Sequence, residues 1–141
     1  MTDEPARTIL NVDDDEATLY TTSKILRQAG FEVVEARTGA EALELAGQLP
    51  DAIVLDIKLP DIDGYEVCRR LRADAETSWI PVLHVSAVYR AIQAKITAME
   101  SGSDGFMLQP LHPELLIAYV ERLLKTGAER RVAMNADNEN S

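Results

Sequence analysis

The sequence predicts a doubly wound α/β domain, in which helices cover both faces of a parallel sheet. Five apolar, β-branched-rich runs alternate with segments of helical period, which is the order of repeated βα units. The third and fourth runs are nearly continuous in apolar residues, as expected for strands buried on both faces. The predicted strands are residues 8–12, 32–36, 52–55, 81–85 and 105–108.

Helices are predicted after each strand from the spacing of their apolar residues. Helix start and stop signals agree with this division. Thr38 and Glu41 fit a capping box, Gly30 and Gly102 stand where helices should stop, and Pro113 takes the first position of the last helix. Each strand therefore has a helix to return the chain to the same edge of the sheet.

The length of 141 residues predicts one domain with an ordinary hydrophobic core. Residues 1–7 are expected to form an amino-terminal extension and residues 8–125 the domain itself. From Thr126 the sequence becomes polar and loses its apolar period. Residues 126–141 are therefore predicted to be a frayed polar tail or the start of a linker.

The composition excludes several classes of function. With 24 acidic and 14 basic residues the formal charge is −10, which repels a phosphate backbone and argues against nucleic acid as a direct partner. No apolar run reaches the roughly 18 residues of a membrane span, and the amino terminus lacks a basic and an apolar region of the secretory kind. We expect a cytoplasmic protein. Cys68, the only cysteine, is predicted to be a buried helix residue.

Ligands of open α/β sheets bind beyond the carboxyl ends of the strands, where the strand order reverses. The polar residues at these ends are Asp13, Asp14 and Asp15 after the first strand, Asp56 after the third, Ser86 after the fourth and Gln109 after the fifth. If the first and third strands are neighbours, Asp13, Asp14 and Asp56 converge.

Three converging carboxylates need compensation. Two like charges about 4 Å apart repel by roughly 4 kcal/mol at an effective dielectric constant of about 20, so the cluster must protonate, splay or hold a cation. Oxygen ligands on a partly solvated rim suit Mg²⁺. The alternative is that the acids cap helices, which is the better interpretation for Asp15 and Glu16 at the predicted start of the first helix.

Four motifs, each at a strand exit, together resemble the receiver domain of two-component response regulators. They are Val12-Asp13-Asp14-Asp15, Leu55-Asp56-Ile57-Lys58-Leu59-Pro60-Asp61-Ile62-Asp63-Gly64, Val85-Ser86-Ala87 and Gly102-Ser103-Asp104-Gly105-Phe106-Met107-Leu108-Gln109-Pro110. The resemblance covers residue 8 to about residue 125. It implies a flavodoxin-like fold with strand order 2-1-3-4-5, which places the first and third strands side by side.

The resemblance also implies a reaction. A phosphohistidine on a histidine kinase or histidine phosphotransfer protein would transfer its phosphoryl group to Asp56. Mg²⁺ would be bound by Asp13, Asp14, Asp56 and the backbone carbonyl of Lys58. Such a chain is a phosphoaccepting signalling domain rather than an enzyme, with at most slow self-dephosphorylation.

Two further positions of the resemblance concern the switch. The Ser86 hydroxyl would bind a phosphoryl oxygen, and Phe106 would be the aromatic switch residue. Their movement would repack the surface of helix four, strand five and helix five. A downstream protein, covalently linked kinase domains or a second copy of the chain would bind there. A lone Ser after a strand and a lone Phe in a strand are also ordinary turn and core residues.

One residue departs from the family pattern, because Gln109 stands where the family has a lysine before the proline. A neutral amide donor is expected to weaken stabilisation of the phosphate by something like tenfold. We hypothesise that Lys58 swings over the site and partly replaces the missing charge, although an exposed loop lysine is an equally good interpretation. Gln109 together with His84 also resembles receivers attached to hybrid sensor kinases.

Three alternative functions compete with this one. A pseudo-receiver would bind partners without phosphorylation because of Gln109. A flavodoxin-type electron carrier is disfavoured because three aspartates would repel the phosphate of its cofactor. A haloacid-dehalogenase-type phosphatase is disfavoured because its nucleophile motif directly follows the first strand. Here the similar run Asp61-Ile62-Asp63-Gly64 comes after Leu59-Pro60, and Asp56 occupies the strand exit. Asn11 is predicted to need a partner if buried, His84 to be a core residue, and Trp79 to cover the core or bind a partner.

Overall fold

The computed structural model describes residues 5–87 and 91–139. Its sheet contains five parallel strands in the order β2-β1-β3-β4-β5. The elements are β1 (Thr8–Val12), α1 (Glu16–Gln28), β2 (Glu32–Ala36), α2 (Gly39–Ala46), β3 (Ala52–Asp56), α3 (Gly64–Ala73), β4 (Val82–Ser86), α4 (Ala91–Glu100), β5 (Gly105–Leu108) and α5 (Pro113–Glu139). This confirms the predicted flavodoxin-like, doubly wound α/β fold.

The two faces of the sheet carry separate hydrophobic clusters. In β3, Ile53 and Leu55 point to the cluster that contains α2 and α3 residues, whereas Ala52 and Val54 point to the cluster that contains α1 and α5 residues. Successive side chains of a strand alternate between the two faces of the sheet. In a strand covered on both faces, all of these side chains are buried, and apolar residues are therefore favoured at each position. This explains the continuous apolar run of β3.

The strand order reverses between β1 and β3, and this point positions the polar residues of interest. Val12 of β1 lies opposite Leu55 of β3 in the parallel register. The next residues, Asp13 just after β1 and Asp56 at the end of β3, therefore lie side by side. Gly30 and Gly102 end α1 and α4 as predicted, with φ angles of 97° and 98° that favour glycine.

Two strands end one residue later than the sequence predicts. Asp56 pairs with Val85, and Ser86 pairs with Leu108, so both polar residues are the last members of β3 and β4. Their backbones are fixed by the sheet rather than by loops. This restricts how far either side chain can move from the edge of the sheet.

The largest difference from the sequence prediction is α5, which is helical through Glu139. The prediction of a frayed tail from Thr126 was therefore wrong, whereas the alternative that a linker begins there stays a prediction. Gly127 lies against Pro81, Arg130 forms an ion pair with Asp104, and Met134 packs on the cluster of the α2 and α3 face. We call residues 126–137 the α5 extension. It crosses the amino-terminal edge of the sheet, opposite the acidic residues.

The α5 extension contacts the domain through residues spaced as one helical face. Gly127, Arg130, Arg131 and Met134 stand at positions i, i+3, i+4 and i+7. The guanidinium of Arg131 lies 4.7 Å from the centre of the Trp79 ring. A contact face made of a glycine and two arginines carries no hydrophobic period, which is why the sequence pattern did not reveal it.

Other sequence predictions concern single buried residues. Cys68 is buried in α3, as expected. Asn11 donates hydrogen bonds from Nδ2 to the Ser23 hydroxyl at 3.0 Å and to the Leu19 carbonyl at 3.3 Å. Trp79 covers the core, with its Nε1 donating to the Glu76 carbonyl at 2.9 Å. Within the described ranges, no helix is both long and apolar enough to cross a membrane.

Candidate functional site

Three carboxylates meet at the carboxyl edge of the sheet. Asp13, Asp14 and Asp56 each offer one oxygen, and these oxygens all lie within 4.8 Å of one another. Asp13 is buried, Asp56 is partly buried and Asp14 is exposed. The predicted convergence is confirmed, and we call these three residues the acidic cluster.

Asp13 is held by backbone and side-chain hydrogen bonds. Its N–H donates to the Ala36 carbonyl at 3.0 Å, and its Oδ1 accepts from the Asp15 N–H at 2.9 Å. Burial raises the pKa of the Asp13 carboxyl, and the charges of Asp14 and Asp15 raise it further. The Asp15 N–H and a hydrogen bond from the Gln109 side chain act in the opposite direction.

Asp56 is the most strongly perturbed acid of the cluster. Burial raises its pKa to about 7, and the charges of Asp13 and Asp14 contribute in the same direction. The Lys58 N–H, which donates to its Oδ1 at 3.4 Å, and the Ile57 N–H act in the opposite direction and lower this pKa. A cation among the three carboxylates would remove the repulsion and favour the ionised form. The donor set fits a hard, oxygen-preferring cation such as Mg²⁺.

Asp15 and Glu16 serve the start of α1, as the sequence indicates. Asp15 is the N-cap residue, and its carboxylate accepts hydrogen bonds from the Thr18 N–H at 3.0 Å and from the Thr18 hydroxyl at 2.6 Å. Glu16 forms an exposed ion pair with Arg37. The four consecutive acids of residues 13–16 thus divide into a cluster pair and a helix-start pair.

Ser86 and Gln109 lie at the same carboxyl edge of the sheet, at the ends of β4 and β5, on the side of β3 away from β1. The Gln109 N–H donates to the Ser86 carbonyl at 2.9 Å, which ties the end of β5 to the end of β4. Ser86 is buried. The side chain of Gln109 reaches the Asp13 carboxylate, so the residue that replaces the family's lysine faces the cluster as a neutral amide.

Lys58 and Phe106 lie where the sequence predicts, in the loop after β3 and on β5, but their positions do not test their predicted roles. Lys58 is exposed in the loop after β3, and no ion pair joins its ammonium group to an acid of the described chain. Its compensation for Gln109 stays a hypothesis. Phe106 is half-buried on β5 and lines a groove of about 490 Å³ with Ile92 and Leu115. Its role as a switch also stays a prediction.

One connection of the site was not expected from the sequence. His84 is fully buried in β4, and its Nε2 lies 2.9 Å from the Gly64 carbonyl at the start of α3. The sequence indicated a core histidine but not its partner. The contact joins residues 20 positions apart, and only the docking of α3 on the sheet brings them together.

Comparisons with known proteins agree with this geometry. Residues 9–121 match the model of the response regulator receiver domain. The chain is 43% identical over 118 residues to the DNA-binding dual master transcriptional regulator RpaA of Synechocystis, covering 83% of this chain and 48% of RpaA. The chain thus spans about half the length of this curated relative. It belongs to the response regulator receiver domain family of two-component signalling.

Solved structures give the same result. A candidate response regulator from Chloroflexus aurantiacus superposes with a TM-score of 0.82 at 38% identity, covering 86% of this chain and 99% of that one. The receiver domain of sensor histidine kinase PA1611 from Pseudomonas aeruginosa has a TM-score of 0.79 at 25% identity, with the same coverage of 86% and 99%. The PA1611 structure contains a magnesium ion coordinated in its active-site cleft.

The comparisons limit one expectation from composition. RpaA is named a DNA-binding regulator, and this chain covers less than half of it. The charge of −10 disfavours direct nucleic-acid binding by these 141 residues. It does not exclude a DNA-binding part in a longer protein that contains such a domain, as the name of RpaA indicates.

Proposed function

We propose that the chain is a phosphoacceptor whose Asp56 receives a phosphoryl group from the phosphohistidine of a histidine kinase or histidine phosphotransfer protein. The observation that carries the proposal is the acidic cluster, with Asp56 at the end of the central strand β3 and two further carboxylates within 4.8 Å. A carboxylate nucleophile beside two further carboxylates that can hold a cation is an arrangement that suits this transfer.

Mg²⁺ is the proposed cofactor, since the donors are carboxylate oxygens on a partly exposed rim. Asp13, Asp14 and Asp56 would hold it, together with the Lys58 backbone carbonyl. When bound, it supplies the positive charge that offsets the carboxylates and the phosphoryl oxygens. The pKa of Asp56, which burial and the charges of Asp13 and Asp14 raise to about 7, supports this assignment because a bound cation would offset both effects.

The transfer exchanges one bond to phosphorus for another. An Asp56 carboxylate oxygen bonds to phosphorus as the P–N bond of the phosphohistidine breaks, and the departing ring nitrogen keeps the electron pair and takes up a proton from solvent. Hydrolysis later forms a bond from a water oxygen to phosphorus, breaks the bond to Asp56 and releases phosphate. Ser86 and Gln109 would donate hydrogen bonds to the phosphoryl oxygens from the edge that they share.

The consequence of phosphorylation would be a change in the surface of α4, β5 and α5. Phe106 lies in β5, two residues before the Leu108 partner of Ser86, and lines the groove against α4 and α5. A downstream protein or covalently linked kinase domains would bind that changed surface. The chain would act in the cytoplasm as a signalling domain, with no catalysis beyond slow loss of its own phosphoryl group.

Intact mass spectrometry tests the proposal directly. Wild-type protein incubated with acetyl phosphate and Mg²⁺ is expected to gain the mass of one phosphoryl group. The Asp56→Asn variant is expected to gain none, and chelation of Mg²⁺ should abolish the gain in the wild type. Asp61→Asn is the matched control, because Asp61 is an aspartate of the same loop outside the acidic cluster, and it should still be phosphorylated.

The second candidate, a phosphorylation-independent pseudo-receiver, is favoured by one observation. Gln109 gives the Asp13 carboxylate a neutral partner where the family has a lysine. A wild type that gains no mass under these conditions, while remaining folded, would support that function and contradict the first.

A further inference from the structure

His84 occupies a position between the sheet and two helices. Its side chain is 0% exposed and lies on the same face of β4 as Val82, which packs in the cluster of α2 and α3 residues. The Tyr65 ring of α3 lies 5.7 Å from the imidazole at 48°. The Tyr65 hydroxyl in turn points to the Ala94 carbonyl of α4 at 3.4 Å. His84 thus contacts the start of α3 and is one residue removed from α4.

The hydrogen bond of His84 determines its tautomer. The Gly64 carbonyl can only accept, so Nε2, at 2.9 Å, carries the proton and donates. Burial lowers the pKa of the imidazole, which favours the neutral ring. Nδ1 is then an acceptor, and within the described part of the chain it has no hydrogen-bond partner.

Gly64 connects this bond to the phosphoacceptor. Its N–H donates to the Ile57 carbonyl at 2.7 Å. Its Cα lies so close to the acceptor strand that a Cβ would be 2.3 Å from the Asp56 carbonyl oxygen. The first turn of α3 therefore packs directly on the backbone of Asp56 and Ile57, and a displacement of Gly64 would displace that backbone.

A buried imidazole that donates from one nitrogen and leaves the other unpaired is costly, since the unpaired nitrogen loses its hydration without gaining a hydrogen bond. A methionine or leucine would fill the same space in β4 without this cost. The contact that only the histidine supplies is the N–H directed at Gly64. A requirement for that contact explains the polar residue better than core packing does.

We infer that His84 is a positioning residue for phosphoryl transfer, in which its Nε2–H fixes Gly64 and thereby the backbone that carries Asp56. This inference rests on the proposed phosphorylation of Asp56. His84 touches neither the phosphoryl donor nor the cation, and it acts through the first turn of α3. It would also join the Asp56 backbone to α4 through the contact with Tyr65.

Three variants separate positioning from stability. His84→Met fills the space without a donor, and His84→Gln retains an amide N–H that can reach Gly64. Thr77→Val is the matched control, because the buried Thr77 hydroxyl donates at 2.8 Å to the Leu71 carbonyl near the far end of α3. Each is assayed for its rate of phosphorylation by saturating acetyl phosphate and Mg²⁺, and for its thermal midpoint in chelator.

His84→Met is expected to be slowed by about tenfold, less than the roughly 100-fold that a 1 Å misplacement can cost. His84→Gln should recover most of the rate, and Thr77→Val should react as the wild type does even if its midpoint falls further. If the wild type is phosphorylated and His84→Met is phosphorylated at the same rate, the inference is overturned. Equal slowing in His84→Gln or in Thr77→Val would also overturn it.

A measurement on the wild type avoids any failure of a variant to fold. Nitrogen NMR of histidine-labelled protein should show a neutral ring protonated at Nε2 for His84, with His112 as the internal comparison. Protonation at Nδ1 would overturn the inference. If the wild type accepts no phosphoryl group at all, the proposed function fails instead, and the tautomer still decides whether the contact with Gly64 exists.

Discussion

At Asp56, burial and two neighbouring carboxylates act in the same direction and raise the pKa to about 7. The acid is therefore partly protonated near neutral pH in the absence of a cation. Protonation would suppress its nucleophilicity, because in the proposed transfer the carboxylate would attack phosphorus. A bound cation would restore the ionised form, so that metal binding and activation of the nucleophile would be one event.

This coupling predicts the pH dependence of stability in chelator. A group whose pKa rises from 3.8 to about 7 on folding stabilises the protein below pH 4, and this contribution is lost as the pH rises through 7. The thermal midpoint of Asp56→Asn minus that of the wild type should therefore increase as the pH rises from 4 to 8. Calorimetry across this range measures the difference.

Asp61→Asn provides the opposite control for that measurement. The Gly39 and Ala40 N–H groups, each 2.8 Å from the Asp61 carboxylate, lower its pKa to about 2. Its stabilising contribution is present above pH 4 and is lost as the pH falls toward 2. An Asp56→Asn advantage that does not grow with pH would contradict the assigned pKa of Asp56.

The residues around the missing lysine give a second prediction. Gln109→Lys would place a charged donor beside Asp13, so phosphorylated Asp56 should form faster or last longer, by about tenfold. Lys58→Ala should slow phosphorylation if Lys58 compensates for Gln109. The measurement is the time course of phosphorylation by acetyl phosphate, with Lys95→Ala on α4 as a control for general loss of charge.

The combination of variants decides between the interpretations of Lys58. If Lys58→Ala reacts as the wild type does, Lys58 is an exposed loop lysine and the compensation hypothesis is wrong. If its defect disappears in the Gln109→Lys background, the two side chains share one role.

Single residues differ in how far the sequence predicts them. Asp13, Asp14 and Asp56 were predictable because each leaves a strand at an edge where order reverses, and strand ends follow from local apolar patterns. The bond from His84 to Gly64 was not, because it depends on how α3 docks on β4. No local pattern contains that information.

Among the elements, α5 shows where pattern-based prediction stops. Its first part, with Leu116 and Val120 in the core, has the period of an amphipathic helix. The α5 extension continues the same face with Gly127, Arg130 and Arg131. A helix held by an ion pair, a cation–π contact and close backbone approach lacks the apolar signal on which the prediction relied.

Removal of the α5 extension should destabilise the domain. A chain that stops after Lys125 loses the Arg130 ion pair, the stacking on Trp79 and the packing of Met134. These exposed and half-buried contacts together contribute roughly 1–3 kcal/mol to the free energy of unfolding. Urea denaturation measures the loss, and a chain that stops after Asp137 is the control.

Equal stability of the two truncated chains would show that the contacts of the extension with the domain do not contribute to the free energy of unfolding. A loss restricted to the shorter chain would show that the contacts with Asp104 and Trp79 stabilise the domain. Asp104 keeps Arg72 as a partner at 2.8 Å after truncation, so the loss should not include an unpaired buried charge.

At the scale of the whole molecule, the strand order was predictable once the family resemblance had been recognised. Strict alternation of strands and helices requires right-handed crossovers and a parallel sheet, but several strand orders satisfy that requirement. The four motifs selected the order 2-1-3-4-5, which the structure has. Neither the alternation of strands and helices nor the four motifs predicted the path of the α5 extension across the amino-terminal edge of the sheet.

The contact between Arg131 and Trp79 should make tryptophan fluorescence a probe of the α5 extension. Trp79 is the only tryptophan, and a guanidinium lies 4.7 Å from its ring centre while the indole itself is 5% exposed. Its fluorescence should therefore report on the carboxyl-terminal helix rather than on the acidic edge of the sheet. Emission that shifts when Asp56 is modified would mean that the two opposite edges of the sheet communicate.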